Sequence, residues 1–148
     1  EDVSDDVKTR ATERNFEDLV VLVADDSAVA RNQVKRALTS IGIKVELVND
    51  GKLALDWLNA KAAELGGDIS SKVPLLISDI EMPEMDGYTL TAEIKADPLL
   101  RNMHVVLHSS LSGVFNEAMV KKVGADQFIA KFHPDELVSA VQKWMTTD

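Results

Sequence analysis

Residues 73–87 have the sequence VPLLISDIEMPEMDG, which is the strongest indication of the fold. Its first part is a continuous apolar run that ends in an acid, Asp79. A run of this length is too short for a typical helix and indicates a strand that is buried on both faces of a sheet. Its second part is an acidic loop that ends at Gly87, after which a helix is predicted from about Tyr88.

The same alternation of apolar run and helical spacing recurs along the chain. It predicts strands over residues 19–24, 44–48, 73–79, 104–108 and 126–131, and helices over about 28–40, 52–65, 88–96, 113–123 and 134–145. A strand followed by a helix, five times, implies an α/β fold in which a five-stranded parallel sheet carries helices on both faces. Right-handed crossovers then restrict the topology.

Local signals mark the helix ends and the buried sides of the helices. Ser27 is predicted to cap the first helix, and Gly42 stands where that helix would end. The helical spacing places Val29 on the apolar side of the first helix, and Leu53 and Leu65 on the apolar side of the second.

The bulk composition predicts one domain. The chain has 148 residues, of which 45% are hydrophobic and 28% charged, as in an ordinary soluble protein. Residues 1–17 are polar and lack apolar periodicity, so they are predicted to be a flexible linker or tail, with the domain over residues 18–148. No cysteine is present, which excludes disulfides and thiol metal sites and suits a reducing compartment.

Charge and hydropathy exclude two classes of partner. The net charge of −9 argues against binding to nucleic acid, since phosphate backbones attract clustered lysine and arginine. No apolar run approaches the roughly 20 residues of a membrane span, so no membrane insertion is predicted. The acidic first residues do not resemble a signal peptide, and we expect a cytoplasmic location.

Chemically active side chains stand where the predicted strands end. Asp25 and Asp26 follow the first strand, Asp79 the third, Ser109 the fourth and Lys131 the fifth. In open parallel sheets, ligands bind outside the carboxyl ends of the strands. Three carboxylates there would repel one another and raise each other's pKa without a cation, and hard oxygen ligands suit Mg²⁺.

This set of side chains suits phosphoryl transfer. A carboxylate such as that of Asp79 can act as a nucleophile and form an aspartyl-phosphate. Such transfer depends on in-line positioning and charge neutralisation. Lys131 can neutralise a phosphoryl oxygen, and the Ser109 hydroxyl can donate a hydrogen bond to another.

Four motifs resemble the response-regulator receiver family, and the likeness covers about residues 18–146. The acidic loop after Asp79 is the most specific of them, and the four occur in the family's order. They are VADDS at 23–27, SDIEMPEMDG at 78–87, HSS at 108–110 and GADQFIAK at 124–131.

The resemblance implies a (βα)5 flavodoxin-like receiver fold and a site for a metal and a phosphoryl group. Asp79 would accept the phosphoryl group from a histidine kinase. Mg²⁺ would be bound by Asp26, Asp79 and the backbone carbonyl of Glu81, with Asp25 acting mainly through a metal-bound water. The domain would catalyse its own Mg²⁺-dependent phosphorylation as a signalling module.

The resemblance also assigns a switch. Ser109 would turn toward the phosphoryl group, Lys131 would pair with it, and Phe128 stands where the family usually has an aromatic rotamer switch. Phe128 has no hydroxyl, so this switch would depend on packing alone. Phe132 follows Lys131 where the family usually has proline, and we predict either a cis peptide bond or a rearranged loop there.

More narrowly, residues 107–116 and the sequence KFHP at 131–134 resemble the receiver half of the CheV family of chemotaxis coupling proteins. That resemblance implies a CheA-like histidine kinase as partner. It also implies a CheW-like domain upstream of this fragment, with residues 1–17 as the interdomain linker.

Other interpretations stay open. The chain could be a stand-alone receiver or phosphate sink, or a pseudo-receiver that binds protein without phosphorylation. An aspartyl-phosphate phosphatase usually carries a second acid two residues after the nucleophile, where Glu81 stands. His104, His108 and His133 are not at metal-ligand spacing, and Tyr88 is interpreted as a packing residue.

Overall fold

The structure is a computed structural model that describes residues 18–110 and 116–146. Five parallel strands form one sheet in the order β2-β1-β3-β4-β5, which confirms the predicted fold class. The strands are β1 (Val20–Ala24), β2 (Lys44–Val48), β3 (Leu75–Ser78), β4 (His104–Ser109) and β5 (Gln127–Ala130). The predicted tail, residues 1–17, lies outside the described part of the chain.

Within residues 18–110 and 116–146, five helices cover the two faces of the sheet. They are α1 (Ala28–Thr39), α2 (Gly51–Leu65), α3 (Gly87–Ala96), α4 (Glu117–Lys122) and α5 (Pro134–Met145), and a short 3-10 helix at Ile69–Ser71 was not predicted. Side chains alternate along each strand, as pleating requires. Val21 and Val23 of β1 therefore face α1 and α5, whereas Leu22 and Ala24 face α2, α3 and α4.

The predicted signals at the ends of α1 lie where the sequence placed them. Ser27 caps the helix, because its hydroxyl accepts a hydrogen bond from the backbone N–H of Ala30. The helix ends at Thr39, and Gly42 has a φ of 82°, a left-handed conformation that favours glycine. The turn at Gly42 leads directly into β2.

The predicted apolar sides were wrong at three positions. Val29 is 69% exposed, and Leu53 and Leu65 are also exposed. Val29 and Leu53 each precede a buried alanine by one residue, and one residue rotates a helix by about 100°, which carries their side chains off the core-facing stripe. Leu65 is the last residue of α2, directly before the left-handed C-cap Gly66.

The start of α4 also differs from the prediction. The helix was predicted from about Gly113, and residues 111–115 lie outside the described residues. Asn116 is the N-cap, with extended backbone dihedrals, and its side chain accepts a hydrogen bond from the N–H of Met119. The helix therefore begins at Glu117.

Across the residues that the structure describes, none of the helices has both the length and the apolar character that a membrane span needs.

Gly87 fixes the path of the acidic loop beside the sheet. A Cβ at this position would lie 2.2 Å from the backbone oxygen of Asp79 and 3.0 Å from Cα of Ile80. The Gly87 N–H donates to the carbonyl of Ile80 at 2.7 Å. Because backbone cannot move aside as a side chain can, only glycine allows α3 to begin this close to the end of β3.

We expect Gly87→Ala to lower the free energy of unfolding by about 2–3 kcal/mol through overpacking. Gly67→Ala is the matched control, because nothing lies within 4 Å of a Cβ there. That variant should change stability by less than about 0.5 kcal/mol. Urea unfolding measures both, and equal stability of the two variants would contradict the proposed close contact.

Candidate functional site at the carboxyl end of the sheet

Asp79 stands at the middle of the sheet edge, directly after β3. Its backbone N–H donates to the carbonyl of Ala24 at 2.8 Å, which continues the pairing of β1 with β3 by one residue. Its Oδ1 accepts a hydrogen bond from the N–H of Ile80 at 2.8 Å. The side chain is thus held by its own loop, and Oδ2 is directed toward Lys131, whose Nζ is 3.4 Å away.

The structure brings together the three predicted carboxylates. One oxygen each from Asp25, Asp26 and Asp79 lies within 4.8 Å of the others. Asp25 and Asp79 are buried, and Asp26 is exposed. Opposite ligands of one Mg²⁺ lie about 4.2 Å apart, twice the usual distance from metal to oxygen. The oxygen donors therefore suit a hard divalent cation, and their spacing exceeds that of opposite ligands by no more than about 0.6 Å.

Asp25 is the most constrained of the three acids. Its Oδ1 accepts the N–H of Ser27 at 2.9 Å, and its Oδ2 lies 2.7 Å from Nζ of Lys131. Its backbone carbonyl accepts a hydrogen bond from Arg31 at 2.7 Å. Burial raises the pKa of the Asp25 carboxyl, the bonds from Lys131 and Ser27 partly offset that rise, and the charge of Asp79 adds to it.

Lys131 bridges two of the acids. Its ammonium contacts both Asp25 and Asp79, and its side chain is 21% exposed. Its backbone N–H donates to the carbonyl of Ser109 at 3.0 Å, which joins the ends of β4 and β5. The Lys131–Phe132 peptide bond is cis, one of the two alternatives that the sequence predicted.

A cleft of about 400 Å³ opens over this cluster. Most of the predicted site residues line it, and Glu81 and Ser109 are among them. Ser109 is buried at the end of β4. The lining consists of Asp26, Asp79, Glu81, Met82, Pro83, Ser109, Ser110 and Lys131.

Phe128 lies apart from the cleft lining. It is the second residue of β5, half-buried, and packs against the core on the face that α2, α3 and α4 cover. Its backbone pairs with Leu107 of β4. The structure therefore places Phe128 on the strand next to Ser109, and its role as a switch stays a prediction.

Sequence reasoning gave no role to His108. The residue is 1% exposed on β4, and its ring meets Phe132 edge-on, with centroids 5.7 Å apart. Among the described residues, no group forms a hydrogen bond with its Nε2. Burial, with a smaller effect from the charge of Lys131, lowers the pKa of His108 to about 4. Only its position on a buried strand could have indicated this.

The chain matches a family model and two characterised relatives. The model, described as response regulator receiver domain, matches residues 21–142. Chemotaxis protein CheV3 of Helicobacter pylori is 29% identical over 150 residues, which cover 97% of this chain and 48% of CheV3. This chain thus spans about half the length of that relative. Protein PilG of Pseudomonas aeruginosa is 34% identical over 131 residues, which cover 88% of this chain and 90% of PilG.

A solved structure shares the fold. The receiver domain of sensor histidine kinase PA1611 from Pseudomonas aeruginosa superposes with a TM-score of 0.74 at 23% identity, covering 87% of this chain and 98% of that chain. That structure has a magnesium ion coordinated in its active site cleft.

Because His108 is buried, we expect the protein to lose stability as the pH falls. The pKa of His108 in the folded protein is about 4, below the ordinary 6.5, so the unfolded chain binds the proton first. Its contribution therefore lowers the free energy of unfolding as the pH falls from 6.5 to 4, by roughly 3 kcal/mol across that window.

Urea unfolding at a series of pH values measures this effect. His108→Leu should flatten the pH dependence between 6.5 and 4. His133→Gln, which changes an exposed histidine, should alter it only slightly, because the charge of His133 is the smallest of the influences that lower the pKa of His108. Parallel curves for the wild type and His108→Leu would contradict the assignment.

Proposed function

We propose, from the premise that this chain belongs to the response regulator receiver family, that Asp79 accepts a phosphoryl group from a histidine kinase. Members of this family are receiver domains of two-component systems, and the family model matches residues 21–142 of this chain. The observation that carries the proposal is the setting of Asp79. One of its oxygens is held by the N–H of Ile80, and the other faces a cleft that Asp26 and Lys131 also line.

In the proposed reaction, Oδ2 of Asp79 attacks the phosphorus of a phosphohistidine. A bond from oxygen to phosphorus forms, the bond from phosphorus to the imidazole nitrogen breaks, and the imidazole keeps that electron pair. The hydrogen bond from Ile80 to Oδ1 orients the attacking carboxylate. Phosphoryl transfer requires this kind of positioning more than covalent chemistry by the protein.

The charges of the site explain why a cation would be needed. Three carboxylates meet at one edge, and an arriving phosphoryl group adds negative charge. We assign Mg²⁺ to Asp26, Asp79 and the backbone carbonyl of Glu81, with Asp25 acting through a water. When bound, the ion would neutralise charge on the phosphoryl oxygens. The magnesium ion in the PA1611 receiver domain supports this choice of metal.

Lys131 is placed to exchange partners. Its Nζ lies closer to Asp25, at 2.7 Å, than to Asp79, at 3.4 Å. We expect a phosphoryl group on Asp79 to draw the ammonium toward its own oxygens. Ser109 lines the same cleft, and its hydroxyl would donate a hydrogen bond to the phosphoryl group. Phe128 on the neighbouring strand would then repack.

The best-supported biological role is in chemotaxis. The likeness to the chemotaxis protein CheV3 supports this role. We propose a CheA-like kinase as the phosphoryl donor, a CheW-like domain upstream and a cytoplasmic location. The match over 90% of PilG favours a second candidate, a stand-alone receiver with the same chemistry. In either role the domain is a switch that modifies itself, since the phosphoryl acceptor is its own side chain.

Incubation with Mg²⁺ and acetyl phosphate, followed by intact mass measurement, tests the chemistry. The wild type should gain one labile phosphoryl group, and the gain should require Mg²⁺. Asp79→Asn, which keeps the shape but loses the nucleophile, should gain none. An unmodified wild type that also fails to bind Mg²⁺ would favour a pseudo-receiver that binds protein without phosphorylation.

Ser109→Ala should accept the phosphoryl group, but phosphorylation should change β5 much less than in the wild type. The reason is that the lost hydroxyl would connect the phosphoryl group on Asp79 with the end of β4, next to β5. Amide hydrogen exchange of residues 127–130, before and after phosphorylation, measures the transmission. We expect the variant to lose at least about half of the wild-type change, and Ser40→Ala, at the end of α1, to lose none. A normal response in Ser109→Ala would remove Ser109 from the switch.

A further inference from the structure

We propose that the Tyr88 hydroxyl is a positioning group that sets where α4 begins relative to the Asp79 loop. Its hydroxyl lies 2.9 Å from the backbone nitrogen of Asn116, 28 residues along the chain, and accepts that N–H. Coupling of this contact to phosphorylation rests on the function proposed above for Asp79. The contact itself is a property of the unmodified protein.

The first link runs from Asp79 to the start of α3. Gly87 lies so close that its Cα hydrogens occupy the space beside the Asp79 carbonyl, and its N–H donates to Ile80. Asp86 caps α3 by accepting the N–H of Thr89 at 2.7 Å. The first turn of α3 is thus fixed to the loop that carries Asp79, and it must follow any movement of that loop.

The second link runs from α3 to α4. Tyr88 is the second residue of α3, and its ring packs, half-buried, against the core. Its hydroxyl reaches Asn116, whose side chain caps α4 by accepting the N–H of Met119. Asn116 therefore bonds Tyr88 through its backbone N–H and the first turn of α4 through its side chain, so the position of Tyr88 affects the position of that turn.

This route is distinct from the one through Ser109 and Phe128. Those residues belong to β4 and β5, whereas Tyr88 belongs to α3. Both routes end next to α4, because Asn116 leads into that helix and Phe128 packs against the core face that α4 covers. α4 has only six residues and one buried side chain, Val120, so few other contacts compete in placing it.

Amide hydrogen exchange in the unmodified protein tests the contact directly. Tyr88→Phe removes the hydroxyl and keeps the ring. We expect the amides of residues 116–122 to exchange about three- to tenfold faster, the effect of one lost hydrogen bond. Thr39→Val is the matched control, since it removes a hydroxyl that bonds Lys35 at the end of α1. Exchange over residues 28–39 in Tyr88→Phe reports whether the fold as a whole is unchanged.

A second measurement follows phosphorylation, using the fact that Tyr88 is the single tyrosine of the chain. Replacing it biosynthetically with 3-fluorotyrosine gives one fluorine resonance. We expect that resonance to shift when Mg²⁺ and acetyl phosphate are added, and to stay fixed in Asp79→Asn. Tyr88→Phe should gain the phosphoryl group normally but lose at least about half of the wild-type change in α4 exchange.

The outcomes separate this proposal from the proposed function. Unchanged exchange over residues 116–122 in Tyr88→Phe overturns the positioning role, whatever happens at Asp79. If Tyr88→Phe speeds exchange but the fluorine resonance does not shift when the protein is fully phosphorylated, Tyr88 positions α4 without responding to phosphorylation, and the proposed coupling is wrong. Absence of any phosphoryl adduct refutes the function proposed for Asp79, while the exchange of the unmodified protein still decides whether Tyr88 positions α4.

Discussion

The ammonium of Lys131 stabilises the concentration of negative charge at one edge of the sheet. A parallel sheet brings the carboxyl ends of its strands together, so Asp25, Asp26 and Asp79 meet there. Two of these carboxylates are buried, and burial disfavours their charged form. Lys131 contacts both buried acids, and its own position is fixed by the pairing of β5 with β4. Without that ammonium, nothing from Lys131 would offset the repulsion between the two buried carboxylates.

The acids of the site differ in how tightly their side chains are held. Asp25 has both oxygens engaged, one by Ser27 and one by Lys131, whereas Asp26 is exposed to solvent at the cleft. This asymmetry suits the proposed function, in which a cation and a phosphoryl donor would reach Asp79 through the cleft. The exposed acid can meet an arriving ion, and the buried acid holds the lysine until another anion competes for it.

Backbone contacts extend this edge into the helices. Gly87 lets α3 begin against the Asp79 carbonyl, and Tyr88 in the same turn reaches the residue that caps α4. His108 is buried beneath the edge, next to Phe132, where its neutral form is favoured. Asp79 is therefore bordered by closely packed backbone at Gly87 and by closely packed side chains near His108, so a structural change at Asp79 would have to displace one or the other.

Much of the fold was predictable from local pattern. The bounds of β2 and α5 agree with the predicted residues, because both elements have clear periodicity and end signals. Val29 was predicted wrongly, because periodicity gives the direction of an apolar stripe but not its width. The 3-10 helix at Ile69–Ser71 was missed, since a single short turn has no periodic signal.

Apolar periodicity and turn residues are local properties, so they were enough to predict the order of strands and helices and the residues that follow each strand. Three features could be seen only in the folded chain: Lys131 lies closer to Asp25 than to Asp79, His108 is buried with Nε2 unpaired among the described residues, and Tyr88 reaches Asn116. These contacts join residues that are far apart along the chain. Distances of a few ångströms between such residues depend on how the helices pack on the sheet, and no local pattern encodes that packing.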